Sequence, residues 1–139
     1  MQDGPKLKKT VLVVDDDAML VSSIWQALMN EGYNVVAARN SELAVSLTRE
    51  KKPDLILLEI TVSGFDGRQT IKKIREISRV PIFVITNERN ELILQNTLNC
   101  GADDLIRKPV KINMLVNRIQ ARLARNSVKS ESDMLGGSY

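Results

Sequence analysis

The chain has 139 residues, 43% of them apolar, with a formal charge of +3 and a pI near 9.1. That is one domain's length and enough hydrophobic material for a packed core, which excludes wholesale disorder. It has one cysteine, Cys100, and no histidine, which excludes an internal disulfide, zinc sites of the Cys/His kind and any mechanism with a histidine base.

Residues 1–9 are polar and lysine-bearing (Lys6, Lys8, Lys9), with no apolar stretch behind them long enough for a signal peptide. No run approaches the roughly 20 apolar residues of a membrane span. The expectation is a soluble, cytoplasmic protein with a short N-terminal tail. The first apolar run, Val11–Val14, predicts a strand and leads into Asp15, Asp16 and Asp17. Leu20, Ile24, Ala27 and Leu28 share one helix face that ends before Gly32. Val35–Ala38 is a weaker strand, followed by a helix marked by Leu43, Ala44 and Leu47 and capped by Asn40 or Ser41. Leu55–Leu58 predicts a third strand, which runs into Glu59. After the Gly64–Gly67 turn, Ile71, Ile74 and Ile77 mark a third helix. Pro81–Ile85 predicts a strand ending at Thr86 and Asn87, and Leu94, Thr97 and Leu98 mark a helix stopped at Gly101. Cys100, beside that stop, reads as a small core residue. Asp104–Arg107 predicts a fifth strand, ending at Lys108 and Pro109. Ile112, Leu115, Val116, Ile119 and Leu123 mark the last helix, so the domain is expected over residues 10–125 and a linker or flexible tail over 126–139. The basic residues Arg118, Arg122, Arg125 and Lys129 read first as a solvated face, with nucleic-acid contact the minor alternative.

Strict alternation of strand and helix, with continuous rather than alternating apolar strands, predicts an α/β fold. Its sheet would be parallel and doubly wound, covered on both faces. Five strands fit a flavodoxin-like (βα)5 arrangement of strand order 2-1-3-4-5. In that order the ligand crevice lies at the carboxyl ends of the first and third strands, which carry Asp15, Asp16 and Glu59. Three carboxylates in one crevice need compensation, and an all-oxygen set suits Mg²⁺. Lys108 supplies an ammonium and Thr86 a hydroxyl, so the set reads as a site for a phosphoryl group. Each member also has an ordinary reading. The aspartates would cap the first helix, Glu59 would face solvent, and Lys108-Pro109 would be a turn, perhaps with a cis bond. Polar residues at four strand ends on one edge argue against coincidence.

These residues resemble the receiver domain of two-component response regulators. The likeness rests on Val-Leu-Val-Val-Asp-Asp-Asp (11–17), Pro-Asp-Leu-Ile-Leu-Leu-Glu-Ile (53–60) and Gly-Phe-Asp-Gly (64–67). It continues through Val-Pro-Ile-Phe-Val-Ile-Thr (80–86) and Gly-Ala-Asp-Asp-Leu-Ile-Arg-Lys-Pro (101–109). The resemblance implies phosphorelay signalling, in which an aspartate ending the third strand accepts a phosphoryl group from a sensor histidine kinase. It implies Mg²⁺ held by Asp16 directly, by Asp15 through water, by the acceptor carboxylate and by the backbone carbonyl of Thr61. Thr86 would follow the phosphoryl group, and Lys108 would pair with it. The last helix, Asn-Met-Leu-Val-Asn-Arg-Ile-Gln-Ala-Arg-Leu-Ala-Arg (113–125), resembles receivers of winged-helix (OmpR/PhoB-like) transcription regulators. That implies a homodimer through the fourth helix, fifth strand and fifth helix, held by Asp103 or Asp104 with Arg118. No recognition-helix pattern follows residue 126, so DNA contact would come only through an attached effector domain.

Four positions depart from the family pattern. Glu59 stands where the phospho-acceptor aspartate belongs, and one added methylene moves its carboxylate by about 1.5 Å. A displacement of about 1 Å costs on the order of 100-fold in a positioned reaction. Ser63 replaces a proline, Asn87 stands where a small residue follows the threonine and would crowd the pocket, and Leu105 replaces the aromatic switch residue. The expectation is an atypical receiver that is not an enzyme and acts with little or no phosphorylation. The alternative is a conventional Mg²⁺-dependent phospho-acceptor with autophosphatase chemistry, Glu59 being tolerated or engineered from aspartate. A Mg²⁺-dependent phosphohydrolase of another family would lack a general acid.

Overall fold

The apolar runs become the five parallel strands of one sheet in the computed structural model, which describes residues 8–62 and 65–134. They are β1 (Thr10–Val14), β2 (Asn34–Ala38), β3 (Leu55–Glu59), β4 (Ile82–Thr86) and β5 (Asp104–Arg107). Their spatial order is β2-β1-β3-β4-β5, the flavodoxin-like order 2-1-3-4-5. Five helices connect or follow them: α1 (Ala18–Asn30), α2 (Ser41–Lys51), α3 (Gly67–Arg75), α4 (Glu91–Asn99) and α5 (Ile112–Met134).

The continuous apolar character of the strands follows from burial on both faces. Leu12, Val14, Ile56, Leu58, Ile82 and Val84 point to one face, where they meet Ala44, Ile71, Ile74 and Leu94 of α2, α3 and α4. Val11, Val13, Leu55, Leu57, Phe83 and Ile85 point to the other, against Ile24 and Leu28 of α1 and Leu115, Val116, Ile119 and Leu123 of α5. The side-chain period of two divides each strand between the two half-cores. Each fully buried aliphatic side chain contributes roughly 1.5–3 kcal/mol, and two such layers fix the strand register.

Short polar side chains set the helix starts. Asp17 caps α1, its Oδ1 accepting from the amides of Met19 and Leu20 at 3.1 Å each. Asn40 caps α2 through the Leu43 amide at 2.8 Å. The third helix is shorter than the isoleucine spacing suggests. It stops at Arg75, the Ser78 amide folds back onto the Ile74 carbonyl at 2.8 Å, and Ile77 lies outside it, 39% exposed. The last helix is longer: α5 runs past Arg125 to Met134, so the stretch expected as linker from 126 begins as helix. Residues 1–7 and 135–139, the remainder of the two expected tails, lie outside the described residues, as does Ser63. No helix among the described residues is long and apolar enough to cross a membrane.

One guanidinium ties three segments together beside the sheet. Arg75 donates to the carbonyls of Val80 at 2.7 Å and Gly101 at 2.8 Å, and to Asp103 Oδ2 at 3.0 Å. The same Asp103 oxygen accepts the Ile82 amide at 2.8 Å, which anchors the start of β4.

Candidate functional site

Parallel pairing of β1 with β3 sets Val14 opposite Leu58, so the residues that follow them, Asp15 and Glu59, share one edge. β3 pairs with β4 (Glu59 opposite Ile85), and β4 pairs with β5 (Thr86 opposite Arg107). The Lys108 amide then donates to the Thr86 carbonyl at 2.9 Å, and the Lys108–Pro109 bond is cis. The sheet thus delivers Asp15, Glu59, Thr86 and Lys108 to its carboxyl edge.

Asp15, Glu59 and Thr86 are buried, at 6%, 5% and 2% exposure. Lys108 Nζ lies 2.8 Å from Glu59 Oε1 and 3.3 Å from Asp15 Oδ2. The second oxygen of each carboxylate is also engaged. Glu59 Oε2 accepts the Ile60 amide at 2.8 Å, and Asp15 Oδ1 accepts the Asp17 amide at 3.0 Å. Every oxygen of the two carboxylates therefore has a partner within the protein itself, as burial of charge demands. Burial pulls the Lys108 ammonium toward a lower pKa, but its hydrogen bonds and charge contacts with Glu59 and Asp15 outweigh that and raise it above the usual lysine value.

The other expected members are placed less centrally. Asp16 is exposed at the rim. Thr61 is exposed as well, its backbone paired with Asp66 in a two-residue antiparallel ladder. The Thr86 hydroxyl accepts the Glu88 amide at 3.0 Å. Asn87 is exposed, so it does not crowd the pocket as its size suggested. Leu105 is half-buried and lines a hollow of about 140 Å³ with Thr86, Leu94 and Leu98, beneath α4. Arg118 Nη1 lies 3.4 Å from Asp104 Oδ2 and Arg122 Nη2 lies 3.5 Å from Asp103 Oδ1, all within one chain.

Two ionic features, one beside the pocket and one at the opposite edge of the sheet, were not foreseen in the sequence. The first is the Asp66–Arg68 fork, closed at 2.6 Å, which also reaches Asn96 of α4 at 3.0 Å and so links the segment after β3 to α4. The second is the sharing of Asp103 between Arg75 and Arg122. Neither has a periodic signal, since Arg68 and Asn96 are 28 positions apart.

A doubly wound sheet with an acidic pair and a lysine at its carboxyl edge defines a receiver domain. The family model for the response regulator receiver domain matches residues 11–120, and the chain belongs to that family. Among its relatives is the DNA-binding response regulator MtrA of Mycolicibacterium paratuberculosis, 37% identical over 120 residues, which cover 86% of this chain and 53% of MtrA. The chain thus spans about half the length of that curated relative. A two-component response regulator from Clostridium difficile superposes with a TM-score of 0.81 at 31% identity, covering 85% of this chain and 97% of that one. A CheY-like receiver domain protein from Methanospirillum hungatei gives 0.84 at 26% identity, covering 88% and 99%.

Proposed function

We propose that the chain is an atypical receiver module, held in a fixed state by its Glu59–Lys108 pair, that signals with little or no phosphorylation. The 2.8 Å contact between two largely buried groups carries this reading. Glu59 supplies one permanent negative charge where a phosphoryl group would bring about −1.5 to −2. The ammonium that would otherwise pair with a phosphoryl group is already engaged by Glu59 and Asp15.

Asp15, Asp16, Glu59 and the Thr61 carbonyl are the oxygens that would be offered to Mg²⁺; among the described residues no three carboxylates lie close enough together to hold a metal by themselves. A cation bound there would share Asp15 with Lys108 and would add positive charge beside an incoming phosphoryl group. Output would pass through the face of α4, β5 and α5. A homodimer there would exchange Asp104–Arg118 from a pair within one chain to a pair between two, at little net cost for half-exposed ions. In this reading the module lies in the cytoplasm, occupies residues 10–125, answers to a sensor histidine kinase or another partner, and reaches DNA only through an effector domain. The second reading, a conventional phospho-acceptor with autophosphatase chemistry, is favoured by the presence of Asp15, Asp16, Thr86 and Lys108 at one edge.

Intact-mass measurement after incubation with Mg²⁺ and acetyl phosphate separates the two. The expected result is an unchanged mass for the chain and a phosphoryl adduct on Glu59→Asp. A stoichiometric adduct on Glu59 itself would overturn the fixed-state reading and establish the conventional one.

A further inference from the structure

Where α1 meets the edge strand β2 and the start of α2, a hollow of about 580 Å³ opens beside the acidic pocket. It shares Asp15 and Asp16 with that pocket, and its other walls have no part in it. Asp15 offers little to a guest, because the Asp17 amide and Lys108 engage its two oxygens. The volume lies within the range of small-ligand sites, about 300–1,000 Å³. The hollow stays open because Ala37, on the strand face that Val35 turns toward α1, is too small to fill it. Trp25 of α1 and Leu43 of α2 line it while 38% and 39% exposed, so the fold covers only part of their apolar surface. The wall also carries polar groups that the fold does not use. The side chains of Ser22, Trp25 and Gln26 make no hydrogen bond among the described residues. Ser22 and Gln26 each offer both a donor and an acceptor. The two exposed charges in the wall, Asp16 and Arg39, are of opposite sign.

We propose that this hollow takes a small, neutral, flat heteroaromatic molecule of two fused rings, stacked on Trp25 with its polar edge toward Ser22 and Gln26. An indole face favours offset stacking with a second ring. A mostly apolar hollow with a few polar groups buries the body of a guest and uses those groups to orient it. A ring nitrogen or carbonyl accepts from Ser22 or Gln26, which an all-carbon guest cannot do. Charge decides the rest. A guest with a net charge of either sign would meet a like charge in Asp16 or in Arg39, whereas a neutral guest meets neither.

Trp25 is the only tryptophan of the chain, so its indole N–H gives a single cross-peak in an amide ¹⁵N–¹H spectrum and reports occupancy directly. The test is titration of the whole chain with caffeine, coumarin and quinoxaline, all neutral fused-ring heteroaromatics, and with quinaldate, a fused-ring heteroaromatic that carries a carboxylate. At least one neutral compound should move the Trp25 peak saturably, and quinaldate should bind at least about tenfold more weakly than the tightest of them. Ser22→Leu puts a larger side chain into the hollow from an exposed helix position and leaves the core untouched. It should weaken that compound about tenfold, and Ala37→Leu should do the same from the strand side. Four results would overturn the proposal: no neutral compound moving the peak, quinaldate binding as tightly as they do, Ser22→Leu binding like the parent chain, or the peak moving with protein concentration alone, which would assign the face to a second copy of the chain.

Discussion

Replacing Lys108 by Met is expected to cost about 3–5 kcal/mol of folding stability near neutral pH, measured by urea denaturation, because it leaves buried charge uncompensated. Lys108 is the cation shared by Glu59 and Asp15, which are only 5% and 6% exposed. Removing both partners should cost much less than removing one. Glu59→Gln in the Lys108→Met background therefore restores part of the loss, since an amide can still accept the Ile60 amide bond and only Asp15 is left uncompensated. Exposure decides the size of the effect. The Arg107–Glu91 pair, 3.4 Å apart but 59% and 82% exposed, should cost no more than about 1 kcal/mol when either partner is removed. The pH dependence has a definite sign. The folded-state pKa of Lys108 is raised, so its stabilisation is complete below the unfolded value of about 10.4 and is lost as pH climbs through the folded value. The parent chain should lose stability above about pH 10.4, and Lys108→Met should show less of that alkaline loss.

Gly67→Ala is expected to destabilise the chain by about 3 kcal/mol, the upper end of the usual range for overpacking. A Cβ at this position would sit 2.6 Å from the Ile60 carbonyl oxygen, 2.7 Å from Ile60 Cα and 2.9 Å from the Glu59 carbonyl oxygen. All three atoms are backbone, so no side chain can swing aside. The Gly67 amide is also hydrogen-bonded to the Ile60 carbonyl. Relief must therefore come from moving the Glu59–Ile60 peptide, whose N–H holds Glu59 Oε2 in place. Gly32 provides the contrast. Its φ is 91° but an added Cβ meets nothing within 4 Å, so Gly32→Ala should cost only the left-handed strain, about 1 kcal/mol. Urea midpoints of the two variants check both values. Gly67→Ala should also shrink the coupling between Glu59 and Lys108 in a double-mutant cycle, which Gly32→Ala should leave unchanged.

The strand order was legible because three continuous apolar runs can be buried only in a sheet covered on both faces, and because helical patterns separate them. From that order the convergence of Asp15 and Glu59 followed without any contact being known. The Asp15–Asp17 cluster resolved into both of its readings: Asp17 caps α1 and Asp15 enters the pocket. The end of α3 was not legible, because Ile77 continues the helical spacing while the chain turns at Glu76–Ile77 and the Ser78 amide folds back onto Ile74. The extent of α5 was hidden for the opposite reason. Polar residues after Arg125 weaken the pattern without breaking the helix. The engagement of both Glu59 oxygens depends on a side-chain rotamer, and the clasp of Arg75 on Gly101 and Asp103 joins residues 26 and 28 positions apart. Neither leaves a trace in composition or periodicity.

Under the proposed function the pocket holds one state rather than two. Amide ¹⁵N–¹H spectra of the chain, recorded before and after addition of Mg²⁺ and beryllofluoride, test it most directly. The amides of Thr86, α4 and β5, Leu105 included, are expected to keep their positions. A second, saturable set of shifts spreading from Glu59 and Thr86 across α4 and β5 would contradict it.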